Sequence, residues 1–89
     1  MSKRNKYYTY VLHSPKYNKI YIGYTNNLER RIYFHNLGIK GWTSQFIPWQ
    51  LIYSEEFSTK KEAMKREREL KSYQGRRFIH EEILKKISV

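Results

Sequence analysis

From Tyr7 to His13, apolar and aromatic side chains fill both alternating sets of positions: Tyr8, Tyr10 and Leu12 on one, Tyr7, Thr9 and Val11 on the other. A strand with two such faces is covered on both sides, so this stretch reads as the centre of a sheet. Ser14-Pro15-Lys16-Tyr17-Asn18 carries turn residues, and Lys19 to Tyr24 returns to the β-branched and aromatic types that suit a pleated surface. So short a connection makes the two strands an antiparallel hairpin, with Tyr10 and Tyr21 as neighbours across it. The period then changes. Leu28, Ile32 and His35 recur at helical spacing, which predicts a helix from Asn27 to about Leu37, capped by Asn26 or Asn27. Arg31 and His35, four apart, adjoin at the edge of its apolar face. Gly38 and Gly41 end it, and Gly38 to Pro48 reads as a loop bearing Lys40, Trp42, Thr43 and Phe46. Such aromatics either pin a loop to the core or touch a ligand.

Trp49 to Phe57 predicts the third strand, with Trp49, Leu51, Tyr53 and Phe57 toward one face and Glu55 and Glu56 at an exposed end. Thr59-x-x-Glu62 is a capping box that opens a second helix, expected to run to about Gln74 and stop at Gly75. Its apolar stripe is Ala63, Met64 and Leu70, and Glu67 falls inside it. A carboxylate there is costly to bury unless compensated. An ion pair with Arg31 or Lys71 would serve, and so would a metal ion. Arg76 to Ile87 closes the chain as a last helix, with Ile79, Ile83 and Ile87 every four residues and Phe78 and Leu84 beside them. The order β-β-α-β-α-α describes an α+β domain, a three-stranded antiparallel sheet flanked by helices. Residues 1–89 form one unit, with the motif-bearing region at 7–75 and a closing helix at 76–87. The basic start, Met1 to Lys6, is expected to be a frayed end.

Charge changes the picture more than length does. The chain carries 18 basic and 8 acidic residues, a net +10 with a pI near 9.9. Such an excess favours a polyanionic partner and steers it from a distance. Nine tyrosines in 89 residues supply side chains that pack, donate hydrogen bonds or stack on bases. With no cysteine there is neither a disulfide framework nor a thiolate metal site. No apolar run approaches the ~18 residues of a transmembrane helix, and no apolar signal region follows the charged start. The expectation is a cytoplasmic protein with no membrane partner. Motifs for zinc, nucleoside triphosphates and dinucleotides are absent, and His13, His35 and His80 do not share metal-ligand spacing.

Three features remain: an aromatic hairpin, an Arg/His helix edge, and a carboxylate set in an apolar stripe. In Tyr21 to Arg31 a phenol leaves a strand end, Gly23 opens space beside it, and a guanidinium sits one turn into a helix. That arrangement suits an anionic oxygen. It is also what an ordinary strand–turn–helix with a glycine at the bend would look like.

Together these residues resemble the GIY-YIG nucleases. Tyr8-Thr9-Tyr10 is similar to the first motif in a degenerate form, and Tyr21-Ile22-Gly23 matches the second as written. The likeness covers nearly the whole chain. It is strongest toward small single-domain bacterial members, which are similar to the N-terminal nuclease module of a bacterial excinuclease. It implies metal-dependent cleavage of phosphodiesters, with a place in DNA repair or recombination. It makes Arg31 the catalytic arginine, His35 the histidine one turn later, and Glu67 the ligand of one Mg²⁺ or Mn²⁺. Tyr10 becomes the first choice of general base, provided that nearby positive charge lowers its pKa from about 10. Tyr21 would share the water or phosphate network, and His35 would orient the water or accept its proton. DNA stands ahead of RNA as partner, with Lys40, Lys71, Arg76 and Arg77 as candidate contacts. The larger relatives carry separate DNA-binding domains and this chain none, so site selectivity is expected to be weak or supplied by a protein partner.

Two positions depart from the family pattern. Tyr8 replaces the first glycine, and no asparagine follows Asn36, Ile79 standing near the place where larger members carry one. Another group would have to do that asparagine's work. The reading from a different class is a non-catalytic nucleic-acid-binding protein on the same fold.

Overall fold

A computed structural model describes residues 6–87. The strands are β1 (Tyr7–Ser14), β2 (Lys19–Thr25) and β3 (Gln50–Phe57), and they form one antiparallel sheet in the order β2-β1-β3. Helix α1 (Leu28–Leu37) follows β2, and a 3₁₀ turn spans Trp42–Phe46. Helices α2 (Lys60–Lys71) and α3 (Tyr73–Phe78) follow β3, and α3 runs on through a π-helical segment, Ile79–Leu84, into a last turn α4 (Lys85–Ile87). The expected α+β architecture is therefore the observed one. Of the basic start, Met1 to Asn5 lies outside the described residues, and Lys6 pairs with Glu56 at 3.3 Å.

The two faces of β1 seed two apolar layers, as their residue types require. Tyr10 and Leu12 join Trp49 on one side, where Leu28 and Ile32 of α1 pack against them. Val11 joins Ile22, Leu70, Ile79, Ile83 and Leu84 on the other, under α2 and the chain after it. Thr9, fully buried, satisfies its hydroxyl by donating to the carbonyl of Ala63 in α2 at 2.7 Å. Helix α1 buries no residue fully. Polar links place it instead: Asn36 accepts from the Trp49 backbone N–H at 2.6 Å and donates to the Trp49 carbonyl at 3.1 Å.

Three expectations are corrected. Trp49, Leu51, Tyr53 and Phe57 do not share one face, because the β1–β3 register shifts between Val11 and Leu12. Val11 faces Tyr53 and Leu12 faces Leu51, so Ile52 is an extra residue that changes the phase. Trp49 then serves the α1 layer while Ile52 and Tyr53 serve the other.

The second helix ends at Lys71, not Gln74. Ser72 closes it and caps α3, accepting from the Gly75 N–H at 3.2 Å, and Gly75 lies inside α3. A Cβ at Gly75 would stand 2.1 Å from the Glu69 carbonyl oxygen and 2.4 Å from Leu70 Cα, so this glycine permits a close crossing of two backbones. The last helix also breaks its four-residue repeat. Wider π winding brings Leu84 into the core beside Ile79 and Ile83 and leaves Ile87 half exposed.

Candidate functional site

Tyr10 and Gly23 are register partners, and Tyr21 lies diagonally across the β1–β2 ladder. Without a Cβ on Gly23, the Tyr10 ring can lie over its partner. An added Cβ would come within 2.7 Å of the Tyr10 hydroxyl and 3.0 Å of the Tyr21 ring. The two rings sit 6.2 Å apart, centre to centre. Asn27 caps α1 by accepting from the Arg30 N–H at 3.1 Å, which fixes where the first turn begins. Arg31, one residue on, lies beside the phenols of Tyr10 and Tyr21. His35, one further turn on, completes a chain: Nε2 lies 3.1 Å from the Tyr10 hydroxyl and Nδ1 3.0 Å from that of Thr43.

Electrostatics separates these groups. Burial pushes the Tyr10 hydroxyl up to about 12, outweighing the Arg31 guanidinium beside it. The lowering that a phenolate base at Tyr10 requires does not occur, because the side chain is fully buried. Burial also holds His35 below its ordinary 6.5, with the Arg31 charge acting in the same direction. His35 is therefore neutral at pH 7. The Tyr10 phenol beside Arg31 raises its pKa above the ordinary value.

Glu67 reaches this region from α2. A groove of about 430 Å³ runs along the outer edge of β2, where the two helical layers meet, and Tyr21, Gly23, Arg31, Lys60 and Glu67 line it. Tyr10 and His35 do not line that groove; they stand behind Gly23 and Tyr21. The cost of placing Glu67 in an apolar stripe is met by Lys71, whose Nζ lies 3.1 Å from Oε2, and the Glu67 side chain stays 18% exposed. No three His, Cys, Asp or Glu side chains converge anywhere among the described residues.

The candidate nucleic-acid contacts divide. Lys71 and Arg76 line a second cavity on the same β2 edge. Lys40 lies on a separate cavity with His35 and Thr43. Arg77 is exposed and tied to Glu81 at 2.9 Å, away from both β2-edge cavities. Glu55, read as a surface acid, is half buried, accepting from Tyr53 and paired with Arg66 at 2.9 Å. Thr43 and Asn36 were not legible as site-building residues: each acts through a contact with a loop or strand end that no periodicity marks.

Among the described residues no helix is long and apolar enough to cross a membrane. The model of the GIY-YIG catalytic domain matches residues 6–78. A UPF0213 protein of Staphylococcus haemolyticus is 47% identical over 70 residues, 76% of this chain and 83% of its own. A UPF0213 protein of Bacillus licheniformis is 44% identical over 82 residues, 86% of this chain and 82% of its own. The solution NMR structure of a UPF0213 protein from Bacillus halodurans superposes with a TM-score of 0.51 at 32% identity, covering 83% of this chain and 81% of that one. With the motif residues in register and one groove gathering the second tyrosine, the arginine and the glutamate, this chain belongs to the GIY-YIG family.

Proposed function

We propose that this protein hydrolyses phosphodiester bonds of nucleic acid, DNA ahead of RNA, using one Mg²⁺ or Mn²⁺ held by Glu67. The observation that carries this reading is the meeting of Tyr21, Arg31 and Glu67 on one groove, backed by the Tyr10–His35 hydrogen bond. A single carboxylate suits Mg²⁺, which keeps several waters and shares its remaining positions with substrate phosphate. It does not suit zinc, which wants three or four protein ligands. When bound, such an ion polarises the phosphate and stabilises the leaving oxygen.

The chain's own groups do the rest. Arg31 offers a planar, permanent charge to the oxygens on which negative charge develops. Tyr21, on the groove wall, orients the attacking water. Tyr10 keeps its own proton at neutral pH, so it serves as a hydrogen-bonded link rather than as a free phenolate. His35, hydrogen-bonded to the Tyr10 hydroxyl behind the groove, carries a ring nitrogen able to hold a proton. Thr43 fixes the orientation of that ring.

One observation favours a non-catalytic nucleic-acid-binding protein instead. Lys71 already neutralises Glu67, so the carboxylate is explained without a metal. Glu67→Gln separates the two readings. Glutamine keeps the shape and a hydrogen-bonding oxygen for Lys71, whose half-exposed ammonium stays solvated, so the variant should melt close to wild type. Cleavage of labelled DNA and RNA of varied structure in Mg²⁺ or Mn²⁺ should nevertheless collapse. Arg31→Ala should lower the chemical step by ~10²-fold or more. Cleavage by Glu67→Gln at the wild-type rate would remove the metal site. A wild type inert on every substrate would leave the binding protein as the better description.

A further inference from the structure

We propose that the second cavity on the β2 edge receives an unpaired nucleotide, so that this protein engages single-stranded nucleic acid next to its cleavage groove. The proposal rests on the nuclease reading for the identity of the strand but not for its own geometry. The cavity measures about 500 Å³, within the ~300–1,000 Å³ that holds a small ligand. Its walls include Lys19, Tyr21, Trp42, Lys71, Arg76 and His80, and, among the described residues, no carboxylate.

Three observations point to a base and its phosphate. First, Trp42 is 47% exposed although Phe46 and Trp49 pack on it at ring separations of 4.8 and 5.9 Å. It is a supported aromatic platform with open surface, which is what a stacked base needs. Second, Arg76 is held in place: its Nε–H donates to the carbonyl of Lys71, the last residue of α2, at 3.1 Å. No described residue engages the terminal nitrogens of the fork, the pair that suits bidentate contact with phosphate. Third, the cavity adjoins the candidate catalytic groove. Tyr21 lines both. Glu67 in the groove and Lys71 in the cavity form the 3.1 Å ion pair between them. From Ile20 to Gly23 the strand advances about 10 Å, so a chain lying along β2 spans both sites.

A duplex has its bases stacked and paired, so none is free to lie on Trp42. A loop, overhang or single strand has one. The cavity therefore selects an unpaired nucleotide beside the bond in the groove.

The test uses the full chain in EDTA, so that binding is read without cleavage. A labelled oligothymidylate and a labelled duplex of equal length are titrated against wild type, Trp42→Leu, Trp42→Phe and Arg76→Gln. Stacking of one base is worth about 1–3 kcal/mol. Trp42→Leu should therefore weaken oligothymidylate binding by roughly 5- to 150-fold. Trp42→Phe, which keeps a ring on the same support, should retain most of the affinity and serves as the folding control. Arg76→Gln should weaken binding and lower the salt slope by about one phosphate contact. The duplex should change less than about twofold with Trp42→Leu, since no base reaches that ring. Wild-type oligothymidylate affinity in Trp42→Leu would overturn the proposal. Equal losses on single strand and duplex would do so too, because they would mark a general surface. Cleavage in Mg²⁺ is scored separately. Trp42-dependent binding without any cleavage would count against the nuclease and leave the cavity standing, and cleavage by a protein whose binding ignores Trp42 would do the reverse.

Discussion

Gly23→Ala tests the packing on which the site depends. The new Cβ would lie 2.7 Å from the Tyr10 hydroxyl, 3.0 Å from Tyr10 Cζ and 3.0 Å from Tyr21 Cε2. Ordinary carbon contacts begin near 3.4 Å, so the Tyr10 tip would have to retreat by about 0.7 Å. Tyr10 is fully buried on the central strand, so little space receives it. Overpacking of this kind costs about 1–3 kcal/mol. The 3.1 Å contact between Tyr10 and His35 would stretch past hydrogen-bonding range, a further loss of about 0.5–1.5 kcal/mol. The combined cost is about 1.5–4.5 kcal/mol, a large share of the ~4–13 kcal/mol expected for a chain of this length. The Tm should fall by about 6 °C or more. The decisive form is a double-mutant cycle with Tyr10→Phe. Deleting the hydroxyl costs stability in wild type, where it removes the link to His35. In the Gly23→Ala background it also removes the atom in closest conflict, so it should cost much less or restore stability. A Gly23→Ala protein melting within about 2 °C of wild type, or strict additivity in the cycle, would refute the reasoning.

Two other outcomes follow from the same kind of argument. Gly75→Ala replaces a helical glycine, a change that propensity alone rewards by about 0.5–1 kcal/mol. The blocking atoms are backbone, at 2.1 and 2.4 Å, so thermal melting should instead show a clear loss, and a raised Tm would mean the crossing is looser than described. His35 makes stability depend on pH. Its folded pKa lies below 6.5, chiefly through burial, so below about pH 6.5 the unfolded chain binds a proton that the native state refuses. Stability from this group is present above that pH and is lost as pH falls toward the folded value. Denaturant midpoints between pH 7.5 and 5 should drop for wild type, and more steeply than for His35→Gln; equal slopes would remove His35 as the source.

The sequence carried the architecture well because each strand's alternation and each helix's spacing are local properties. Asn27 announces its helix by chemistry, and β1 announces its central place by being apolar on both faces. The motif residues Tyr21, Gly23, Arg31 and Glu67 were legible for the same reason, each lying at a strand end or on a helix face. What the sequence did not reveal depends on how the backbone bends and packs in three dimensions. Gly75 looks like a helix stop because glycine usually is one, and only the neighbouring backbone of Glu69 and Leu70 shows that it allows a crossing. The bulge at Ile52 leaves no trace in composition, since Leu51, Ile52 and Tyr53 are all strand formers. The state of Tyr10 is likewise a matter of burial, and a formal charge count around it points the wrong way.

Helix α1 is placed by polar links and half-buried side chains, and this gives the site two walls of unequal compliance. Tyr10 and Gly23 belong to the paired sheet, and displacing them means unpairing strands at the centre of the domain. Arg31 rides on a helix with no fully buried residue. The contacts through Asn36 and His35 set its position sharply in direction, yet hydrogen bonds of this kind are worth only about 0.5–1.5 kcal/mol each. Such an element lies at the low end of local stability, where small openings cost little. A phosphate entering the groove, as the proposed function requires, would thus meet a rigid aromatic floor and a yielding cationic side. On that reading the guanidinium would follow the charge as it redistributes, while the Tyr21 phenol, proposed to orient the water, would stay in place.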